Sequence, residues 1–348
     1  MANIARIEVA PLTAAQRGPY DELLDGWLEE LTANARAAYL SDLKYFARWM
    51  GGGREDIDVA AAMQALFTRT STQANAVVLA YRKHLLSAPV YSRASRVADG
   101  KPDRYGYAPS TINRRLSALR SVAKIARITG VFDGAIEISG VKAPRTKPGV
   151  GVGREVYLDM LMEIERRLEL YREEPEGRLK HRRIFEAMRD RVVIRLLHDI
   201  MLRRVEVVRL EVADVDIEGL MLDVRSKGAR GRRDDVPLTR RVAVLIEQYL
   251  EVRGGEPGAL ICTSADIGEP LDLSSINLIC TRRAIHVGQT AQPHAFRRTA
   301  ITTGLDMTNG DLRSVASAAR HRNPSTTMRY DLKPLQSARN LSDKLGDV

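Results

Sequence analysis

Apolar residues recur at helical spacing from Tyr20 onward. Leu23, Leu24, Trp27, Leu28 and Leu31 form one stripe and Tyr39, Leu43, Phe46 and Trp49 a second, which predicts two amphipathic helices. Gly51-Gly52-Gly53 ends the second. A third helix is expected over 72–86, and Pro109-Ser110-Thr111 opens a fourth carrying Ile112, Leu116, Leu119, Val122 and Ile125. Between these two, residues 87–107 mix Pro, Gly, Ser and charge without an apolar period and read as a long surface loop. This half reads as all-helical.

Residues 141–153 combine prolines, glycines and basic side chains, the composition of an exposed linker. They divide the chain into a helical domain over 1–145, preceded by a short N-terminal tail, and a second domain over 146–348. The second domain begins with helical patterns over 155–171 and 182–198. Strand-like segments follow at Leu220 to Val224 and around Asp235 to Leu238, joined by a basic hairpin loop, with a short third candidate at Leu260-Ile261-Cys262. From Leu273 the pattern is helical to the end. The expected fold class is mainly α: a helical domain plus a mixed α+β domain with a small antiparallel sheet.

With 348 residues, 44% of them hydrophobic, the chain has enough apolar surface for two cores. A formal charge of +10 favours a polyanionic partner, because each phosphate neutralised releases counterions. Cys262 and Cys280 are too few for a disulfide framework or a zinc site and read as small core residues. No signal-peptide pattern or long apolar run is present, so a cytoplasmic location is expected. Gly149-Val150-Gly151-Val152-Gly153 lacks the preceding strand and the spacing of a phosphate-binding loop.

The chemistry-bearing residues lie in the second half. Arg203-Arg204-Val205-Glu206 is followed by Lys227 in a Ser-Lys-Gly hairpin; of ten lysines in the chain, Lys227 is the only one between Lys180 and Lys333. His294-Ala295-Phe296-Arg297 places a histidine and an arginine on one face of a helix opened by Pro293. Arg320-His321 then precedes Asn323-Pro324, the cap and first residue of a helix that carries Thr326, Thr327 and Tyr330, the tyrosine standing nine positions after His321.

In this order and spacing the chain resembles the tyrosine recombinases of the phage integrase family. The resemblance implies DNA strand exchange: Tyr330 as nucleophile forming a 3′-phosphotyrosine, and Arg203, His294, Arg297 and His321 around the pentacoordinate phosphorus. Glu206 would support Arg203. Lys227 would protonate the departing 5′ oxygen, a role suited to a lysine because its pKa falls among cations whereas arginine stays charged. Neither ATP nor a metal is then needed, and no cofactor is expected. Two family glycines are replaced, by Met201 before Arg203 and by Arg320 before His321.

The resemblance extends to the first half through Tyr39, Asp42, Leu43, Phe46, Trp49 and the run from Ser110 to Arg120, which look like a core-binding domain. Arg114, Arg115 and Arg120 there, with Arg230, Arg232 and Arg320 in the second domain, are candidate DNA contacts. A Cre-like or Xer-like two-domain layout without a separate arm-site domain is implied, acting as a homotetramer on double-stranded DNA with inverted-repeat sites. The apolar stripe Leu332, Leu335, Ala338, Leu341 and Leu345 is expected to form a tail helix that docks on a neighbouring subunit. Two other readings stay open: an inactive DNA-binding protein of this fold, and a type IB topoisomerase-like nicking and closing enzyme.

Overall fold

The computed structural model describes residues 18–54, 58–91, 101–142, 151–225, 233–321 and 323–331. The chain divides into two compact units, Met1–Arg145 and Thr146–Val348. The architecture is mainly helical, with small antiparallel sheets.

The first unit contains α1 (Pro19–Glu29), α2 (Ala33–Met50), α3 (Val59–Phe67), α4 (Ser71–Ser87) and α5 (Pro109–Ile128). Their apolar stripes meet in one core, in which Leu43, Phe46, Met63, Leu66, Leu85, Ile112 and Leu116 are fully buried. Periodicity did not single out α3, because its run of alanines has little contrast between faces. The local signal is Asp58, whose carboxylate accepts from the Ala60 N–H and caps the helix.

The expected long loop holds a two-residue antiparallel ladder, β1 (Pro89–Val90) with β2 (Arg104–Tyr105). Its return to α5 passes Gly106 at φ 80°, where a β-carbon would lie 2.5 Å from the Leu86 carbonyl oxygen, so only glycine fits.

Two of the candidate DNA contacts on α5 are engaged within this unit. Arg115 lies between aromatic rings, its guanidinium carbon 3.7 Å from the Tyr45 centroid and 4.1 Å from that of Tyr107, and it approaches buried Asp42. Its cation is thus engaged within the unit by two rings and a carboxylate. Arg114 pairs with Asp42 at 2.7 Å but stays largely exposed, and Arg120 is half-buried.

The second unit is built around α7 (Arg178–His198), with α6 (Arg154–Glu173), α8 (Arg204–Arg209), α9 (Arg240–Arg253), α10 (Leu273–Ile285) and α11 (Pro293–Met307) about it; α12 (Leu312–Ala318) and α13 (Pro324–Met328) follow. The C-terminal half of α7 is buried on most sides, with Val192, Val193, Ile194, Leu196 and Leu197 in the core, as befits a helix enclosed by others. Its one fully buried charge, Asp190, receives Arg189, Arg282 and Arg283, which satisfies the carboxylate and ties α7 to α10.

The sheet runs β3 (Val215–Asp216), β4 (Met221–Arg225), β5 (Arg233–Pro237), all antiparallel, with Leu222 opposite Val236 and Val224 opposite Asp234. Leu222, Val224 and Val236 face the core. Leu260-Ile261-Cys262 is buried but forms no strand; its neighbour Ala259 makes isolated bridges to Glu211 and Gly268. Among the described residues no helix is long and apolar enough to cross a membrane.

Candidate active site

The site forms where two turns face each other. The first follows α7, whose end is fixed by Asp199: its carboxylate accepts from the Tyr157 hydroxyl (2.6 Å) and the Arg195 guanidinium (2.9 Å), and lies 2.8 Å from His198 Nδ1. The chain then passes Met201 at φ 54° and delivers Arg203 as the N-cap of α8. The second turn follows α12, passes Arg320 at φ 51° and delivers His321. Both replaced glycines therefore keep the left-handed backbone that favours glycine, at a cost of about 1 kcal/mol each. Packing and polar contacts offset it: the Met201 side chain joins Ile301, Leu305 and Val315, and Arg320 is held through its guanidinium.

Glu206 lies at the centre, its side chain fully buried. Its position three residues after Arg203 lets one carboxylate oxygen accept the Arg203 backbone N–H (2.8 Å) while the other accepts Arg203 Nη1 (2.7 Å). Arg320 Nη2 donates to the first oxygen at 2.8 Å. Burial alone would raise the Glu206 pKa; Arg320, then the backbone and side chain of Arg203, bring it below the usual carboxylate range.

Arg297, on α11, is almost wholly buried. Its guanidinium donates to the carbonyls of Met201 and Ala319, one from each turn, and so joins them. Burial first, then the neighbouring cations Arg203 and Arg320, push its pKa down to about 9, against the opposing influence of Glu206 and Tyr330. His294, one turn earlier, stays at the surface; partial desolvation and then Arg298, Arg297 and Arg203 lower its pKa.

His321 Nδ1 lies 2.8 Å from the hydroxyl of fully buried Thr327, so Nε2 is the ring nitrogen that threonine leaves unengaged. Its pKa falls to about 4, first through burial and then through Arg297, Arg203, His294 and Arg320, which leaves it neutral near pH 7. Asn323 caps α13 by accepting from the Ser325 N–H, and Tyr330 follows directly on that helix. The Tyr330 ring packs among Ile301, Leu305, Val315 and Ala319, nearly parallel to His321 with centroids 6.3 Å apart.

Five of the sequence-selected residues thus come together: Arg203, His294, Arg297, His321 and Tyr330, with Glu206 beneath them. Lys227, Arg230 and Arg232 lie outside the described residues, as does the stripe from Leu332 to Leu345. Arg320 was expected at a phosphate, but its guanidinium is turned inward. Thr327 was legible as a helix residue, and only the folded geometry reveals it as the partner of His321. Two guanidiniums, those of Arg203 and Arg320, grip the single carboxylate of Glu206, and Arg297 lies close enough to feel both cations, an excess of positive charge suited to an anion. Among the described residues no group of three or more His, Cys, Asp or Glu side chains is placed to hold a metal.

Comparison with known proteins locates this site within a family. Residues 178–333 match the phage integrase family. A tyrosine recombinase of Synechocystis sp. is 31% identical over 92% of this chain and 95% of its own length. The XerC tyrosine recombinase of Vibrio vulnificus is 28% identical over 70% of this chain and 73% of its own. Among solved structures, the Tn1549 transposon integrase in complex with transposon right-end DNA superposes with a TM-score of 0.60 at 15% identity, covering 93% of this chain and 98% of that one. XerH bound to palindromic difH substrate gives 0.57 at 14%, with 93% and 95% covered. At these identities the structural likeness is one of fold.

Proposed function

Since this chain belongs to the tyrosine recombinase family, we propose that it is a site-specific recombinase that cleaves and rejoins duplex DNA through Tyr330. The observation that carries this reading is the meeting of Tyr330 and His321 with the cations of Arg203, Arg297 and Arg320, two of which are held by the buried Glu206 carboxylate.

Tyr330 Oη attacks a backbone phosphorus and the bond to the 5′ oxygen breaks, which leaves a 3′-phosphotyrosine and a free 5′ hydroxyl. The phenol proton passes to the neutral imidazole of His321. Arg203, Arg297 and His294 meet the charge that develops on the phosphorane, and Lys227 supplies the proton to the departing oxygen. Phosphodiester energy is kept in the tyrosyl bond, so rejoining to a second 5′ hydroxyl needs no other energy source. The partner is double-stranded DNA with inverted-repeat sites, on which four copies assemble.

The test is to incubate the purified chain with fragmented genomic DNA and sequence the fragments retained as detergent-resistant adducts. Adducts concentrated at a recurring inverted repeat are expected. Adducts spread without site preference would replace the recombinase reading with nicking and closing, and tight binding without adducts would leave an inactive binder.

A second expectation follows from His321. Cations and burial hold its pKa well below the ordinary 6.5 in the free protein. A phosphate set among Arg203 and Arg297 offsets those cations, so the pKa rises on binding and protons are taken up. DNA affinity should therefore increase as pH falls from 8 toward 6. Calorimetry at pH 6 in two buffers of different ionisation enthalpy measures the uptake; identical heats in both would rule it out.

A further inference from the structure

Arg320 occupies the position immediately before His321, where the backbone is left-handed and a side chain is a burden. That side chain is only 11% exposed and makes contacts that a glycine could not. Nη2 donates to Glu206 at 2.8 Å and to the Met201 carbonyl at 3.2 Å, and Nη1 reaches the Ile200 carbonyl at 3.4 Å. In return, the backbone carbonyl of Arg320 accepts from Arg203 Nη2 at 3.2 Å.

The result is a closed circuit. Arg203 grips Glu206, Glu206 grips the Arg320 side chain, and the Arg320 backbone grips Arg203. One residue thereby ties the turn that presents Arg203 to the turn that presents His321. Without its side chain, the Glu206 oxygen it engages would keep only the Arg203 backbone N–H, and the carboxylate would lose one of the two arginines that fix its orientation.

We propose that Arg320 is a positioning residue for strand cleavage: acting through Glu206 and the Ile200 and Met201 carbonyls, it holds the Arg203 guanidinium in register with His321 and makes no phosphate contact of its own. This rests on the cleavage reading above. Only groups aimed within a fraction of an ångström serve the transition state fully, so loosening the circuit slows chemistry and leaves DNA binding intact.

The test uses the full chain and a duplex carrying its adduct site, at saturating protein, reading single-turnover adduct formation and, separately, the DNA dissociation constant and its salt dependence. Arg320→Gly removes the circuit and relieves the left-handed strain, so the variant remains folded. Its cleavage rate should fall by about 10- to 100-fold, with affinity and salt slope unchanged. Arg320→Lys, which keeps a cation near Glu206 but cannot also reach both carbonyls, should restore part of the rate. Combined with Glu206→Gln, Arg320→Gly should add little further loss, because both changes open the same circuit.

An unaltered rate in Arg320→Gly, or fully additive losses with Glu206→Gln, would overturn the proposal. So would weaker binding with a shallower salt slope, the signature of a lost phosphate contact. Failure of the unaltered chain to form any Tyr330-dependent adduct would be a different result, overturning the cleavage reading itself.

Discussion

Tyr330→Phe is expected to abolish covalent DNA adducts while leaving the fold and DNA affinity in place. The Tyr330 residue is 8% exposed, and its ring contributes an apolar face to the cluster of Ile301, Leu305, Val315 and Ala319. Phenylalanine preserves that face and its area, so the packing that orders the end of α13 survives. The substitution removes one oxygen, and with it the only group at this position able to form a bond to phosphorus. Loss of a single hydroxyl changes stability by about 1 kcal/mol, whereas loss of the nucleophile removes the covalent step entirely. The measurement is adduct formation beside a thermal midpoint and a binding curve. Adducts that persist in the variant would place the nucleophile elsewhere; a collapse of the thermal midpoint would mean that Oη serves the fold.

How much of this site was legible depended on whether the interaction is local. The pairing of Arg203 with Glu206 is a capping arrangement within one turn, so the three-residue spacing encoded it directly. Asn323-Pro324 announced α13 for the same reason. The spacing of His294 and Arg297 predicted a shared face but not their different fates. Arg297 turns inward because two carbonyl acceptors, Met201 and Ala319, are brought to it from segments 96 and 22 residues away.

Arg320 is a similar case. Its identity suggested a phosphate contact, and only the fold shows that Glu206, 114 residues earlier, claims it. Arg115 likewise finds Tyr45 and Tyr107 across the helical core. Arginine is the hardest residue to place from sequence, because its long stem and five donors let a remote partner decide its direction.

At the level of elements, α9 was missed although Val242, Leu245, Ile246 and Tyr249 have helical spacing and Thr239 caps it. Val244 and Val252 on its exposed face blur the stripe. The short ladder of β1 and β2 had no signal to read, since two-residue strands cannot show an alternation.

Arg297→Ala is expected to damage both stability and rate, and the two losses can be separated. The guanidinium joins the Met201 and Ala319 turns, so truncation takes a donor from each carbonyl, at about 1–3 kcal/mol for Ala319 and less for Met201, which keeps Arg320 Nη2, and opens a cavity. Under the cleavage reading it also removes a cation proposed to meet the charge on the phosphorane, for an expected loss of about 10²–10³ in cleavage rate. Arg297→Lys separates these effects, because a lysine keeps charge but cannot satisfy both carbonyls with a planar fork. The lysine variant should therefore regain part of the thermal stability and little of the rate.

The depressed Arg297 pKa, near 9 through burial and the adjacent Arg203 and Arg320, adds a further expectation. The folded protein holds this cation at a cost that a bound anion relieves. Inorganic phosphate should raise the thermal midpoint of the unaltered chain by more than that of Arg297→Ala. Equal shifts in the two proteins would place the anion away from Arg297 and remove it from the cleavage mechanism.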